Sequence, residues 1–405
     1  MVCRDARRTS RVIAARLAID PFDEAFLADP YAHHEALREA GPVVWLDAIG
    51  AYGMARHAEV SAALRDHEAF CSGRGVGLSD FAIEDPWRPP SLLLETDPPL
   101  HDRTRGIMNK VVSLAALKTL RPRWEQTAEA LVDRLVEKRR FDAVTELGEA
   151  FPMAVFPDTI GVPEDGRELL LVYAASVFNA FGPRNAVFAR GEAEAAPAIG
   201  WVAQACKREN LSPDGWGAGV YAAADRGECS EAEAERLVRS FLTAGIDTTV
   251  NGIGHLVLAL ATHPDEYANV RANPALEKRA LDESLRWDST VQTFFRTTTR
   301  DVEIAGTTIP EGAKVLLFLA AANRDPRRWN DPDRFVADRP TSGHVGFGFG
   351  IHQCLGQMVA RLEAEVVLRA LVRRVRRVTL AGTPERRLNN TLHAIHRLPV
   401  GIEPA

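Results

Sequence analysis

Cys354 sits in GFGFGIHQCLG (346–356), where four glycines surround one thiol and the helical run QMVARLEAEVVLRALVRR follows. Glycine packs nothing and costs chain entropy, so this density predicts a backbone that bends sharply or approaches something closely. A helix start offers unpaired N–H groups and the positive end of the helix dipole, and both stabilise a thiolate. The expected chemistry is a thiolate presented to something flat and large that lies against bare backbone.

Other stretches carry groups of the same kind. AGIDTTVNGIG (244–254) places Asp247, Thr248, Thr249, Asn251 and three glycines inside an otherwise apolar helical pattern. Buried Asp is costly unless paired, and each mid-helix Gly costs up to about 1 kcal/mol, so this helix is expected to line a site. In DPPLHDRTR (97–105) two prolines mark a helix start, and His101 and Arg105 project from one face at i,i+4. Arg296 in FFRTTTR and His352, two residues before the cysteine, add further donors. Singly, each reads more readily as a surface residue; together the four suit an anion with two carboxylates. Glu283 and Arg286, three apart, share a helix face and can pair, with Arg334 or Arg339 completing an Arg–Glu–Arg cluster.

The elements that must position these groups are mostly helical. PYAHHEALREAG reads as a short amphipathic helix, and VVWLDAIGAYGMAR as a strand hairpin. Helical patterns dominate from Pro99 to about Trp287, and VEIAGTTIPEGAKVLLFL has strand composition with turns at Ala305-Gly306 and Glu311-Gly312. Ser230-Glu-Ala-Glu233 is a capping box. The pattern it starts runs to Thr262 and predicts one long central helix of roughly 31 residues, about 46 Å. The fold class is therefore mainly α with small β-sheets, segregated rather than in βαβ alternation.

With 405 residues, 46% hydrophobic and 26% charged, the chain can bury a large core. No linker, low-complexity tract or repeat divides it, so residues 1–20 are expected to be a flexible extension and 21–405 a single domain. A net charge of −6 argues against a nucleic-acid binder. Cys3, Cys71, Cys206, Cys229 and Cys354 are scattered without a CxxC pair, as in a reducing cytosol and unlike a zinc site. No apolar run spans a bilayer, and MVCRDARRTSRV lacks the apolar core of a signal peptide, so a cytoplasmic protein without membrane contact is expected.

The spacing Phe347-x-x-Gly350-x-x-x-Cys354-x-Gly356 resembles the heme-binding loop of cytochromes P450. The order of Ala244-Gly245-x-Asp247-Thr248-Thr249, Glu283-x-x-Arg286 and the segment before the cysteine loop is similar to that family from about Pro21 onward. The resemblance implies a single heme-containing domain with a long central helix, holding heme b (iron protoporphyrin IX) on Cys354. It implies that His101, Arg105, Arg296 and His352 hold the heme propionates. It makes Asp247 and Thr248 the acid–alcohol pair that delivers protons during dioxygen activation. Glu283 and Arg286 would be structural.

VGLSDF, PWRPPSLLLETDPP, VFNAFGPRN, LVRSFLTAGIDTTVNG, VQTFFRTTTRD and TSGHVGFGFGIHQC resemble the bacterial subgroup that oxidises para-substituted benzoates such as 4-methoxybenzoate. Helical spacing puts Ser240 and Thr243 on the face of Asp247, with Arg239 adjacent. Arg88 and Ser91 lie in a Pro-rich loop, and Arg is suited to bidentate carboxylate binding. Leu94, Phe178, Phe181, Val291 and Phe294 would supply apolar walls; which Arg contacts the acid stays open. No flavin- or NAD-binding GxGxxG segment and no iron–sulfur cysteine cluster is present. Electrons are thus expected from an iron-sulfur ferredoxin and an NAD(P)H-dependent ferredoxin reductase, with the basic run LRALVRRVRRV offered as a docking surface. The competing expectations are the same chemistry on a terpene, steroid or macrolide, a heme-based sensor without turnover, and a peroxide-driven peroxygenase. A sensor needs no proton relay and a peroxygenase need not keep one, so Asp247-Thr248 argues against both.

Overall fold

The computed structural model describes residues 13–405. A six-stranded sheet holds one flank, in the order Ala15–Leu17, Val44–Leu46, Ala51–Met54, Lys314–Phe318, Thr293–Thr298, Phe70–Cys71. Its first strand pairs in parallel with Val44–Leu46, so the sheet begins inside the stretch expected to be a flexible extension, of which residues 1–12 lie outside the described residues. The expected hairpin is present as Val44–Leu46 against Ala51–Met54. Three smaller sheets complete the β content, and helices fill the remainder.

Strand alternation in Thr293–Thr298 decides what faces the interior. Successive side chains point to opposite faces. Phe294 and Arg296 turn toward the central cavity, whereas Phe295 is buried behind them, stacked on Phe22 at 6.2 Å. Register with Lys314–Phe318 (Phe294 opposite Leu317, Arg296 opposite Val315) fixes that choice.

The long central helix is not continuous. Glu231–Ala244 and Asp247–Thr262 are separate helices, broken at Gly245 and Ile246 (φ −107°, ψ −68°). A Cβ on Gly245 would lie 2.4 Å from the Phe156 ring, so only glycine admits that packing. The Thr248 and Thr249 hydroxyls donate to the Ala244 and Gly245 carbonyls at the break, at 2.7 and 3.2 Å. Side chains that bond the backbone locally compete with helix propagation. A 3.6 period survives such a break, which is why the periodicity predicts one helix. The capping box at Ser230 and Glu233 is formed as expected.

The buried Glu283–Arg286 pair fastens the segment before the cysteine loop. Arg286 Nε donates to Glu283 Oε2 at 2.7 Å, and its Nη groups donate to the Asn323, Pro332 and Arg334 carbonyls. Arg339, not Arg334, completes the cluster through Nε to Glu283 Oε1 at 3.0 Å. Arg334 contributes only its carbonyl.

Candidate functional site

The cysteine loop forms one wall of the central cavity and the break in the central helix forms another. Cys354 lies three residues before the helix Gln357–Arg374, and its N–H donates to the Phe347 carbonyl at 2.8 Å. Gly350 has φ +71°, and a Cβ there would sit 2.5 Å from the Leu64 carbonyl oxygen. That glycine therefore seats the loop against the helix His57–Arg65 rather than baring backbone toward the cavity. Phe347 and Phe349 are covered on their outer faces by Arg361 and Arg65, at 4.5 and 4.1 Å from the ring centroids. The Cys354 side chain faces the cavity. Burial pushes its thiol up, while the Gly356 amide, Arg105, Arg361 and the Gln357 amide pull the other way.

The four expected anion donors converge beside the loop. His101 and His352 stack edge-on at 4.5 Å. His352 Nδ1 bonds the Leu93 carbonyl at 3.0 Å, and Arg105 donates to the Gln353 carbonyl at 2.7 Å. Arg296 is buried, with one hydrogen bond to the Phe295 carbonyl, and burial lowers it to about 10. Burial also lowers His101 and Arg105. His101 Nε2 and His352 Nε2 are buried with no hydrogen-bond partner among the described residues.

Thr248 lines the cavity, but Asp247 does not join it there. The Asp247 carboxylate is turned to Arg387 Nη2 at 3.1 and 3.3 Å and to Asn251 Nδ2 at 3.0 Å. Burial raises its pKa, with Arg387 opposing. The Arg387 side chain is 37% exposed, so this ion pair connects a buried acid to solvent.

The same cavity carries most of the residues expected to hold an acid. Arg88, Ser91, Leu94, Phe178, Arg239, Ser240, Thr243, Val291 and Phe294 all line it. Phe181 does not; it packs behind Phe178 and Phe294, edge-on to each at 5.8 Å, and holds those rings in place. Arg88 is bound to the buried Glu95 at 2.9 Å, which neutralises it. Arg239 donates to the Pro89 carbonyl at 2.7 Å. The Ser240 and Thr243 hydroxyls donate to carbonyls four residues back, whereas Ser91 Oγ accepts the Leu93 and Leu94 amides and keeps its own proton to give.

The Cytochrome P450 family model matches residues 220–403. A relative named Cytochrome p450 CYP199A2, from Rhodopseudomonas palustris, is 56% identical over 390 residues, 96% of this chain and 95% of its own. The chain belongs to the cytochrome P450 family. It is a heme-dependent monooxygenase. Cytochrome P450 107B1 of Saccharopolyspora erythraea is 33% identical over 94% of this chain and 96% of its own. The solved cytochrome P450 CREJ, in complex with (4-ethylphenyl) dihydrogen phosphate, matches with a TM-score of 0.83 at 25% identity, over 95% of this chain and 99% of that one. Among the described residues no helix is long and apolar enough to cross a membrane.

The residues of this P450 suit heme. Buried Arg296 and the unpartnered His101 nitrogen are donors that a pair of carboxylates would satisfy, His352 Nε2 lies 3.6 Å from the Asp97 carboxylate, and a thiol stands beside the same cavity. Four further residues escape the sequence reading. Glu95 and Arg387 are invisible because their partners are distant in sequence. Arg236 donates to the Pro90 carbonyl and, with Arg239, pins the Pro-rich loop to the central helix. Glu363 is wholly buried on the cysteine helix, and neither carboxyl oxygen has a hydrogen-bond partner among the described residues. Burial pushes it up to about 8. A charged residue inside VARLEAEVVL, nine residues after the cysteine, is the only signal that pointed to it.

Proposed function

We propose that this P450 inserts one oxygen atom of O2 into a small aromatic carboxylic acid of the para-substituted benzoate type, hydroxylating or O-demethylating it. The observation that carries the reading is the polarity of the cavity. Arg239 and the free Ser91 proton are donors in its lining, Phe178, Phe294, Val291 and Leu94 give it apolar walls, and the cysteine loop lines the same space. The solved CREJ holds (4-ethylphenyl) dihydrogen phosphate, a para-substituted benzene with an acidic group at one end, which supports a para-substituted aromatic acid as the ligand.

Each residue then has a task. Arg239 and Ser91 grip the carboxylate; Arg88, committed to Glu95, shapes the loop. Ser240 and Thr243 offer lone pairs and re-orientable hydroxyls beside them. The aromatic walls hold the ring so that its para substituent meets the reacting centre, and such positioning gives regioselectivity. Cys354 would bind the heme iron as a thiolate, and His101, Arg105, Arg296 and His352 would hold its propionates. Heme, when bound, supplies the iron at which O2 is activated with two electrons delivered from outside. Asp247 takes protons from the solvent side at Arg387 and, by rotating about its side chain, hands them to the Thr248 hydroxyl. Hydrogen-bonded acids and alcohols relay protons over such distances.

The electrons come from an iron-sulfur ferredoxin and its NAD(P)H-dependent reductase. The basic run at Arg373 and Arg374 is a weak docking site for them. Arg373 pairs with Glu129, and Arg374 with Glu129 and Asp133, on the helix Leu114–Lys138. Ferric spin-state titration tests the substrate class. Acid binding well ahead of the neutral amide, followed by demethylation of 4-methoxybenzoate, is expected; equal affinity for acid and amide removes the carboxylate site.

A further inference from the structure

A second cavity of about 330 Å³ lies outside the first, between the Pro-rich loop, the helix Ala186–Ala205 and the helix Glu231–Ala244. That volume falls within the range of small-molecule sites. Arg88 and Arg239 line both cavities, so together with Pro89 they form the partition between them. Both guanidinium groups donate to the Pro89 carbonyl, at 3.1 and 2.7 Å. The outer cavity opens to solvent beside Trp87 (38% exposed) and Ile199 (53% exposed).

The chemistry of the outer cavity matches that of the inner one. Trp87, Phe188 and Tyr173 give aromatic walls, and Arg236 adds a third guanidinium whose Nε is buried without a hydrogen-bond partner among the described residues. Glu192 and Glu235 are the acids that face these arginines, and Glu95 already satisfies Arg88. Neither Arg236 nor Arg239 forms an ion pair among the described residues, so their charges can meet an incoming anion, offset in part by Glu192 and Glu235 in the same lining. An anion leaving Arg236 for the inner cavity never has to cross an apolar stretch, since Arg239 borders both spaces.

We propose that the outer cavity is a transit site that captures the aromatic carboxylate from solvent and passes it across the Arg88–Arg239 partition to the heme cavity. The proposal rests on the carboxylate reading of the inner site. Positive charge along the route lowers the barriers on both sides of the partition relative to free and bound acid, so it speeds entry and exit alike and leaves the final affinity unchanged. Charged clefts raise capture rates about ten- to a thousandfold in all. One charge of the set accounts for about three- to tenfold of that.

Stopped-flow measurement of the ferric spin-state change, with 4-methoxybenzoate and 4-methoxybenzamide, tests it in two variants. Arg236→Gln removes a charge. Ile199→Glu adds an opposing one at an exposed position and leaves the loop contacts untouched. In both, association and dissociation of the acid are expected to slow together by about three- to tenfold, with unchanged Kd and no effect on the amide. Acid rates unchanged in Ile199→Glu overturn the proposal. A raised Kd in Arg236→Gln, from faster dissociation alone, also overturns it, because Arg236 would then touch the finally bound acid. Equal affinity of the unmodified protein for acid and amide would remove the inner carboxylate site, while the two rates still judge the outer one.

Discussion

Replacing Arg239 by glutamine should erase most of the preference for acid over amide, and replacing Arg88 should not. Both arginines line the inner cavity, and the sequence alone ranks them equally. The structure separates them by their partners. Arg88 is 2.9 Å from Glu95, a carboxylate whose side chain is 1% exposed, so its charge is already satisfied. Arg239 gives one N–H to the Pro89 carbonyl and has no carboxylate partner among the described residues. A charge-assisted hydrogen bond is worth about 1.5–3 kcal/mol. Arg239 is half-buried, which favours the lower end, so its loss should cost about 1.5 kcal/mol, roughly tenfold in acid affinity. The assay is the ratio of amide Kd to acid Kd by ferric spin-state titration, which cancels any general loosening of the cavity. Arg88→Gln should leave that ratio alone and instead lower Tm by a few degrees, because it strands Glu95 in the interior at a cost of about 3 kcal/mol. A ratio that collapses in Arg88→Gln and survives in Arg239→Gln would mean that Arg88, not Arg239, meets the acid.

Cys354→Ala should abolish the strongly red-shifted Soret band of the reduced, carbon monoxide-bound protein, the mark of thiolate ligation; a retained band would exclude Cys354 as the ligand. Thr248→Ala should lower product formed per NAD(P)H consumed and release peroxide, with electron consumption continuing. Glu363, pushed up to about 8 by burial, stays protonated when folded at pH values where the unfolded chain ionises it. Its contribution to stability is therefore fully present below the usual carboxylate pKa and is lost as pH rises from about 4 toward 8. Urea unfolding of Glu363→Gln should lose less stability across that window than the unmodified protein does, and parallel curves would show an ordinary, ionised carboxylate.

The parts legible in sequence were those whose cause is local. The hairpin at 44–54, the capping box at Ser230 and the helix after Cys354 follow from turn residues, caps and periodicity within a few positions. The convergence of His101, Arg105, Arg296 and His352 came through family resemblance, since nothing local ties residue 101 to residue 352. What stayed hidden depends on contacts between distant segments. Phe156 forces the glycine at 245 and sits with the break in the central helix, yet no spacing rule connects those positions. Phe181 carries the same composition signal as Phe178 and Phe294, and only the packing shows that it stands one layer behind them.

Asp247 shows most clearly why a motif and a working geometry are different things. Its place beside Thr248 on one helix marks the pair as acid and alcohol, but adjacent residues on a helix do not face the same way. The carboxylate lies with Arg387 and Asn251, and the hydroxyl lies on the cavity. Relay therefore requires the acid to leave a buried ion pair, and the half-exposed Arg387 sets how readily it does so. Removing Arg387 would leave Asp247 buried without its counter-charge and raise its pKa further, because the group that opposes burial is gone. Arg387→Ala should thus shift the pH profile of coupling upward while leaving acid affinity in the inner cavity unchanged. Arg387→Lys should restore much of the original profile, since it returns the charge. An unshifted profile in Arg387→Ala would mean that protons reach the cavity without passing Asp247.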